Sequence, residues 1–186
     1  MPSDFMKIKT MFTIPIYHVT INNWVRKKEK INKIIKDLYL CQPIEDISHC
    51  LTDYFLNGNG VEPYWNSLFN ILSEEIVGAE KSFFDGREIL IEGFWVEKAE
   101  KNKLHPVHNH GALGYSAIIY VDYDPDVHSP TRFVAPFNNF ETGATNYYMP
   151  NVKEGSMIIF PSSILHEAPL NTSDKTRTII SFNFKV

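Results

Sequence analysis

The stretch LHPVHNHGALGYSAIIYVDYD, Leu104–Asp124, sets His105, His108 and His110 side by side in a chain with seven histidines, then turns into an apolar, β-branched run. YSAIIYVDY reads as a largely buried strand. In a strand, residues i and i+2 point the same way. His108 and His110 are therefore expected to project together, with Asn109 turned away, and two imidazoles on one face can grip one metal ion. His105 has the opposite parity and precedes Pro106, which breaks regular pairing. It is read as lying at the rim of the site or behind a ligand.

The pattern continues in both directions. From Arg87 onward come REILIEGFWVEK, the strand just described, TNYYM, SMIIF and RTIISFNFKV, with turn residues between them and no useful helical period. Several short strands of this kind predict an antiparallel sandwich or barrel. In the last strand, alternation puts Thr178, Ile180, Phe182, Phe184 and Val186 on one face. That face is apolar and suits packing under helices. The other face carries Arg177, Ile179, Ser181, Asn183 and Lys185. A few convergent polar groups on an inner face are how a small-ligand pocket is built, and a solvated outer face is the competing reading.

Upstream the signal is helical. After a strand expected over Met11 to His18, INNWVRKKEKINKIIKDLYL places Trp24, Ile31, Ile34, Ile35 and Leu38 at helical spacing, with lysines opposite. Asn22 and Asn23 offer an N-cap. A second helix is expected over Ile44 to Phe55, ended by NGNG. A third starts after Glu62 and Pro63, runs through Tyr64, Trp65, Leu68, Phe69, Leu72 and Ile76, and stops at Gly78. The expected fold class is α+β, mainly β. One domain is expected over 1–186, with a strand and supporting helices over 1–85 and a β core over 86–186.

Composition bounds the function. With 186 residues and 44% hydrophobic content the chain can bury a real core. A net charge of −4 argues against a nucleic-acid surface. No apolar run approaches the ~20 residues a membrane span needs. The N-terminal stretch lacks the pattern of a signal peptide, so a cytoplasmic chain is expected. Cys41 and Cys50 fall in the region expected to be helical, without metal spacing, and read as a reduced pair.

A third ligand must come from elsewhere. In EGSMIIFPSSILHEAPLN, His166 follows a strand and a turn. Arg177 comes eleven residues later, the reach needed to return on the next strand.

The order HxH, a strand carrying a tyrosine, GSMIIFPSSILHEA and RTIISFN resembles the Fe(II)- and 2-oxoglutarate-dependent oxygenases. It is most similar to their small prolyl-hydroxylase-like group with an HxH before the strand. The resemblance is clear over Phe94 to Val186 and loose before it. It implies a double-stranded β-helix, a cupin-like jelly roll of two facing antiparallel sheets, with helices bracing the larger sheet. It implies His108, His110 and His166 as metal ligands. It implies Arg177 as the holder of the far carboxylate of 2-oxoglutarate, with Tyr120 and Ser181 as further cosubstrate contacts. Asn183, on the face of Arg177, falls with His105 at the rim or behind a ligand. The cofactor implied is Fe(II), with Ni, Zn or Mn able to take its place in a purified sample. The partners implied are 2-oxoglutarate and O2, with the primary substrate unidentified. The oligomeric state is left open, a homodimer included.

The pattern departs from most of the superfamily at His110, where Asp or Glu is usual. Three imidazoles leave the metal one negative charge short. Two other readings stay open here: a cupin-type three-histidine enzyme that does not use 2-oxoglutarate, and a non-catalytic binding module. Against the first, GALGYS stands where a cupin has its glutamate. The segment YDPDVHSPTRFVAPFNNFETGAT is expected to rim the pocket as a long loop.

Overall fold

The computed structural model describes residues 13–43, 48–56 and 63–186. Its elements run β1 (Tyr17–Thr20), α1 (Trp24–Ile35), β2 (Leu51–Thr52), α2 (Pro63–Phe83), β3 (Leu90–Ala99), β4 (His105–His108), β5 (Tyr115–Asp122), β6 (Arg132–Asn138), β7 (Thr145–Tyr148), β8 (Ser156–Pro161), β9 (His166–Ala168) and β10 (Arg177–Lys185). Two antiparallel sheets form. One has six strands in the order β1-β8-β5-β10-β3-β2, and the other has four in the order β4-β9-β6-β7. This is the double-stranded β-helix.

The two faces of the large sheet build two cores. Ala117, Ile119 and Val121 of β5 and Ile180, Phe182 and Phe184 of β10 point to the helices. There they meet Ile31 and Ile35 of α1 and Leu68, Leu72, Ile76 and Ala79 of α2. Burying each large apolar side chain contributes about 1.5–3 kcal/mol. The alternate residues, Ile118, Tyr120 and Ile179, face the small sheet with Phe133, Ile158 and Phe160. The alternation expected of the last strand is therefore what the sheet uses. Lys27 joins the helices through an ion pair with the buried Glu75 at 2.7 Å.

Several expectations are corrected. The first strand is Tyr17–Thr20, one turn of pattern later than Met11 to His18, and Met11 and Phe12 lie outside the described residues. The helix expected over Ile44 to Phe55 is not formed in its described part: Leu51 and Thr52 pair with Lys98 and Glu97 at the edge of the large sheet. Pairing with a distant strand overrides local helix preference, and Ile44 to Ile47 lie outside the described residues. Cys41 and Cys50 are therefore not helical, although both are free thiols as expected. The helix from Pro63 passes through Gly78 to Phe83. A mid-helix glycine costs about 1 kcal/mol, and burial of Ala79 and Phe84 beyond it offsets that. The stop comes at Asp85 and Gly86, both with positive φ (54° and 78°), where the Gly86 N–H donates to the Glu80 carbonyl at 2.8 Å. Finally, Asn23 occupies the N-cap of α1 with φ 52° but makes no side-chain cap. Glu75 instead accepts from the Asn22 N–H at 2.9 Å.

The segment from Tyr123 to Thr145 is not a long loop. β6 occupies its middle, and Thr131, just before that strand, is the residue that borders the site.

Candidate metal centre

His108 ends β4, directly opposite His166 of β9 in the strand register. His110 lies beyond the strand, so the same-face argument reaches it by a different route. Its backbone N–H donates to the Ser162 carbonyl at 2.9 Å, and Trp95 stacks on its ring at 5.2 Å between centroids. The chain turns back and aims its imidazole at the other two. Each of the three rings offers a nitrogen, and these lie within 4.8 Å of one another. His110 Nε2 and His166 Nε2 are 3.3 Å apart.

The rings are oriented for a cation. Carbonyl oxygens only accept, and His108 Nδ1 is 2.7 Å from the Pro106 carbonyl and His166 Nδ1 2.9 Å from that of Ile164. Both Nδ1 atoms therefore carry the hydrogen, and both Nε2 atoms carry lone pairs, the arrangement of ligating histidines held by an outer partner. Two nitrogens at about 2.1 Å from one ion stand roughly 3.0–3.4 Å apart for square to tetrahedral angles. The observed spacing of 3.3 Å fits that. Burial, followed by the neighbouring imidazole of His108, lowers His110 to about 4 and His166 to about 3. His108 is lowered as well, by burial and then by His105. Neutral imidazole is the ligating form, so the donor set suits a divalent ion.

His105 is turned away from the trio. Its Nδ1 is 2.9 Å from Glu97 Oε2, and its ring stacks on His108 at 3.9 Å between centroids. Burial alone lowers His105, but the Glu97 charge outweighs it and the net shift is upward. For Glu97, burial raises the carboxyl, and the charge and hydrogen bond of His105 outweigh it, holding Glu97 well below the usual carboxylate range. His49, Cys50 and His105 bring a second set of donors within 4.8 Å. Hydrogen bonds already engage them: His49 Nδ1 reaches the Cys50 carbonyl at 2.9 Å, and the Cys50 thiol reaches Glu97 at 3.6 Å.

Arg177 is 4% exposed, although it is charged. One guanidinium N–H donates to the Ser129 carbonyl at 2.9 Å. Among the described residues, no carboxylate is within ion-pair distance of it. Burial pulls it below its usual value, against Tyr120 and Glu97. Tyr120 is buried beside it and donates to Thr131 Oγ1 at 2.9 Å, while the Thr131 N–H donates back at 3.2 Å. Ser181 lines the cleft beneath the trio with Ile118, Thr131 and Ile179. That cleft is narrow, about 10 Å³. A second cavity of about 240 Å³ shares Glu97, His105, His108 and His110 with that cleft and is walled further by Tyr54, Phe55, Trp95, Asn109 and Asn183. Asn183 stands 3.5 Å from His110 Nδ1 and accepts from Ser116 at 2.8 Å.

Residues 93–183 match the family described as "Putative 2OG-Fe(II) oxygenase". That region, just under half of the chain, is the β core of a Fe(II)- and 2-oxoglutarate-dependent oxygenase. Members are enzymes that take Fe(II) and 2-oxoglutarate, the cofactor and cosubstrate expected from the sequence. No curated protein sequence matches this oxygenase. Its fold is shared with solved structures of low identity. The α-ketoglutarate-dependent carbocyclase SnoK of nogalamycin biosynthesis superposes with a TM-score of 0.65 at 13% identity, covering 91% of this chain and 79% of that one. A Pseudomonas putida prolyl-4-hydroxylase gives 0.59 at 13%, with 93% of each chain covered. HygX from Streptomyces hygroscopicus, solved with nickel, 2-oxoglutarate and hygromycin B, gives 0.63 at 9%, covering 93% and 83%. No helix of the described residues is long and apolar enough to cross a membrane.

Glu97, Trp95 and Thr131 border this site, and the sequence reading had not singled them out. A signal for two of them existed. Trp95 and Glu97 sit two apart in GFWVEK, so alternation puts an indole and an acid on one strand face.

Proposed function

We propose that this oxygenase holds iron(II) through Nε2 of His108, His110 and His166, and hydroxylates a primary substrate in the cavity beside Trp95. Residues 1–85 act as the support of the catalytic β core, in one domain with it. When bound, iron(II) and 2-oxoglutarate supply the oxidation of a C–H bond by O2, with release of succinate and CO2. The chain supplies position and exclusion of water. Arg177 receives the far carboxylate of 2-oxoglutarate, for which its planar fork is suited. Tyr120, Thr131 and Ser181 border the same end and offer hydroxyls to it. Ile118 and Ile179 wall the cosubstrate from the core, and their side chains must shift to widen a cleft of about 10 Å³. The larger cavity shares His108 and His110 with the cleft but not Thr131, Ile179 or Ser181, which gives the substrate a place beside the trio apart from the cosubstrate.

The observation that carries this reading is Arg177: a buried guanidinium without a carboxylate partner among the described residues, on the strand face that looks toward the trio. A cupin-type role would leave that charge without purpose. The test is an anaerobic titration of 2-oxoglutarate into the Fe(II)-loaded protein, followed by air. A visible charge-transfer band on addition, then slow succinate formation without primary substrate, is the expected result. Absence of both with metal bound would overturn the reading.

A further inference from the structure

The trio offers three neutral nitrogens where the superfamily pattern has a carboxylate at the position of His110. Two acids border the cleft at the trio, Glu97 and Glu167. Glu167 is engaged by Arg132 at 2.5 Å. Glu97 differs. It is 5% exposed and borders both the cleft beneath the trio and the larger cavity.

Its two oxygens are bonded to two residues that matter to the trio. Trp95 Nε1 donates to Oε1 at 2.8 Å, and His105 Nδ1 lies 2.9 Å from Oε2. Trp95 stacks on His110, with rings 28° apart and centroids at 5.2 Å. His105 stacks on His108, 12° apart at 3.9 Å. One carboxylate thus fixes the two flat side chains that lie against the two imidazoles of the HxH pair.

We propose that Glu97 is the positioning residue of the metal centre and supplies the negative charge that the histidine trio lacks, without itself ligating the ion. The proposal rests on the metal assignment above. Two consequences of the geometry support it. A ring stacked on each ligand restricts its rotation, so less freedom is lost when the ion binds. A carboxylate buried at the same cavity acts through a low-dielectric medium, where its attraction for a divalent ion is weakly screened. The hydrogen bonds from Trp95 and His105 keep it ionised there.

The test uses the whole chain and Ni(II) as probe, by competition calorimetry, with iron redox titration as the second measurement. His166→Ala should abolish tight Ni(II) binding; if it does not, the trio assignment itself fails. Glu97→Gln keeps the shape and removes the charge. It should weaken Ni(II) by about tenfold or more, within the ~10–100-fold range of outer-partner substitutions. The Fe(III)/Fe(II) midpoint of Glu97→Gln should move positive, because a nearby negative charge favours the higher oxidation state. A merely structural role would leave the midpoint in place. If Glu97→Gln does not fold, the double variant Trp95→Phe with His105→Phe keeps both rings and removes both donors. That variant should also lose Ni(II) affinity about tenfold. The proposal is overturned, with the trio intact, if His166→Ala loses metal while the Glu97 variant keeps its midpoint. It is equally overturned if the folded variant, single or double, binds Ni(II) within about threefold of wild type.

Discussion

His110 and His166 bring their Nε2 atoms to 3.3 Å of each other across 56 residues of chain. The contact joins a loop residue to a strand residue. His166 is held by β9 and its Nδ1–H bond to Ile164, and His110 by its backbone bond to Ser162. Two imidazoles at that distance, His166 buried and His110 half-buried, with one of them necessarily presenting a lone pair, are stabilised by a shared cation. Removing either should therefore do more than removing an outer partner. Substituting His110→Ala or His108→Ala should lower Ni(II) affinity by over ~100-fold, above the outer-partner range. Calorimetry on each variant would check this, and an affinity within tenfold of wild type would remove that residue from the ligand set.

Arg177→Met should weaken 2-oxoglutarate binding to the Mn(II)-loaded protein by about 2–5 kcal/mol, the range for truncating one partner of a buried charge pair. Metal affinity should hardly change, since Arg177 touches none of the three histidines. Equal 2-oxoglutarate affinity in the mutant would show that the carboxylate lies elsewhere.

Tyr120→Phe removes a buried hydroxyl that both donates to and accepts from Thr131. The Thr131 N–H is left without its acceptor, at a cost of about 1–3 kcal/mol. Urea unfolding of the metal-free protein would measure it. No change in midpoint would mean that water replaces the hydroxyl.

The metal-free protein should lose stability as pH falls below neutrality. His110 and His166 have folded values of about 4 and about 3, against roughly 6.5 when unfolded. Between those limits the unfolded chain binds more protons, so unfolding is favoured as pH drops. Glu97, depressed when folded, works the same way below its unfolded value, where its contribution is lost as it protonates. His105 has the opposite sign: its raised value contributes stability that is lost as pH rises through it. The depressed pair outnumbers it, so thermal midpoints should fall from pH 7 to pH 4.5. A flat profile over that range would contradict the burial assigned to the trio.

Gly155→Ala should destabilise strongly. Its φ is +80°, and an added Cβ would stand 2.6 Å from Trp24 Cγ. The left-handed backbone alone costs about 1–2 kcal/mol, and the clash adds about 1–3 more. Gly143→Ala, with φ +71° and open space around it, should show only the backbone cost. Equal losses at the two positions would mean that Trp24 moves aside freely.

The sequence by itself determined the faces of the strands and the identity of the ligand candidates. Period-two alternation in RTIISFNFKV separates Ile180 and Phe182 from Arg177 and Ser181, because pleating leaves a strand residue only two directions. The spacing of Ile31, Ile35, Leu68, Leu72 and Ile76 likewise marks the helix faces that cover the sheet. Tertiary structure decided the rest. Leu51 and Thr52 became an edge strand because β3 offered unpaired backbone groups, and that offer depends on register, which local pattern does not encode. His110 left the strand yet still converged on His166, since the Ser162 carbonyl and the Trp95 ring are brought to it only when the sheets face each other. Glu97 shows this most clearly: an acid in a β-rich run reads as a solvated side chain until folding places His105 and Trp95 on its two oxygens and closes water out.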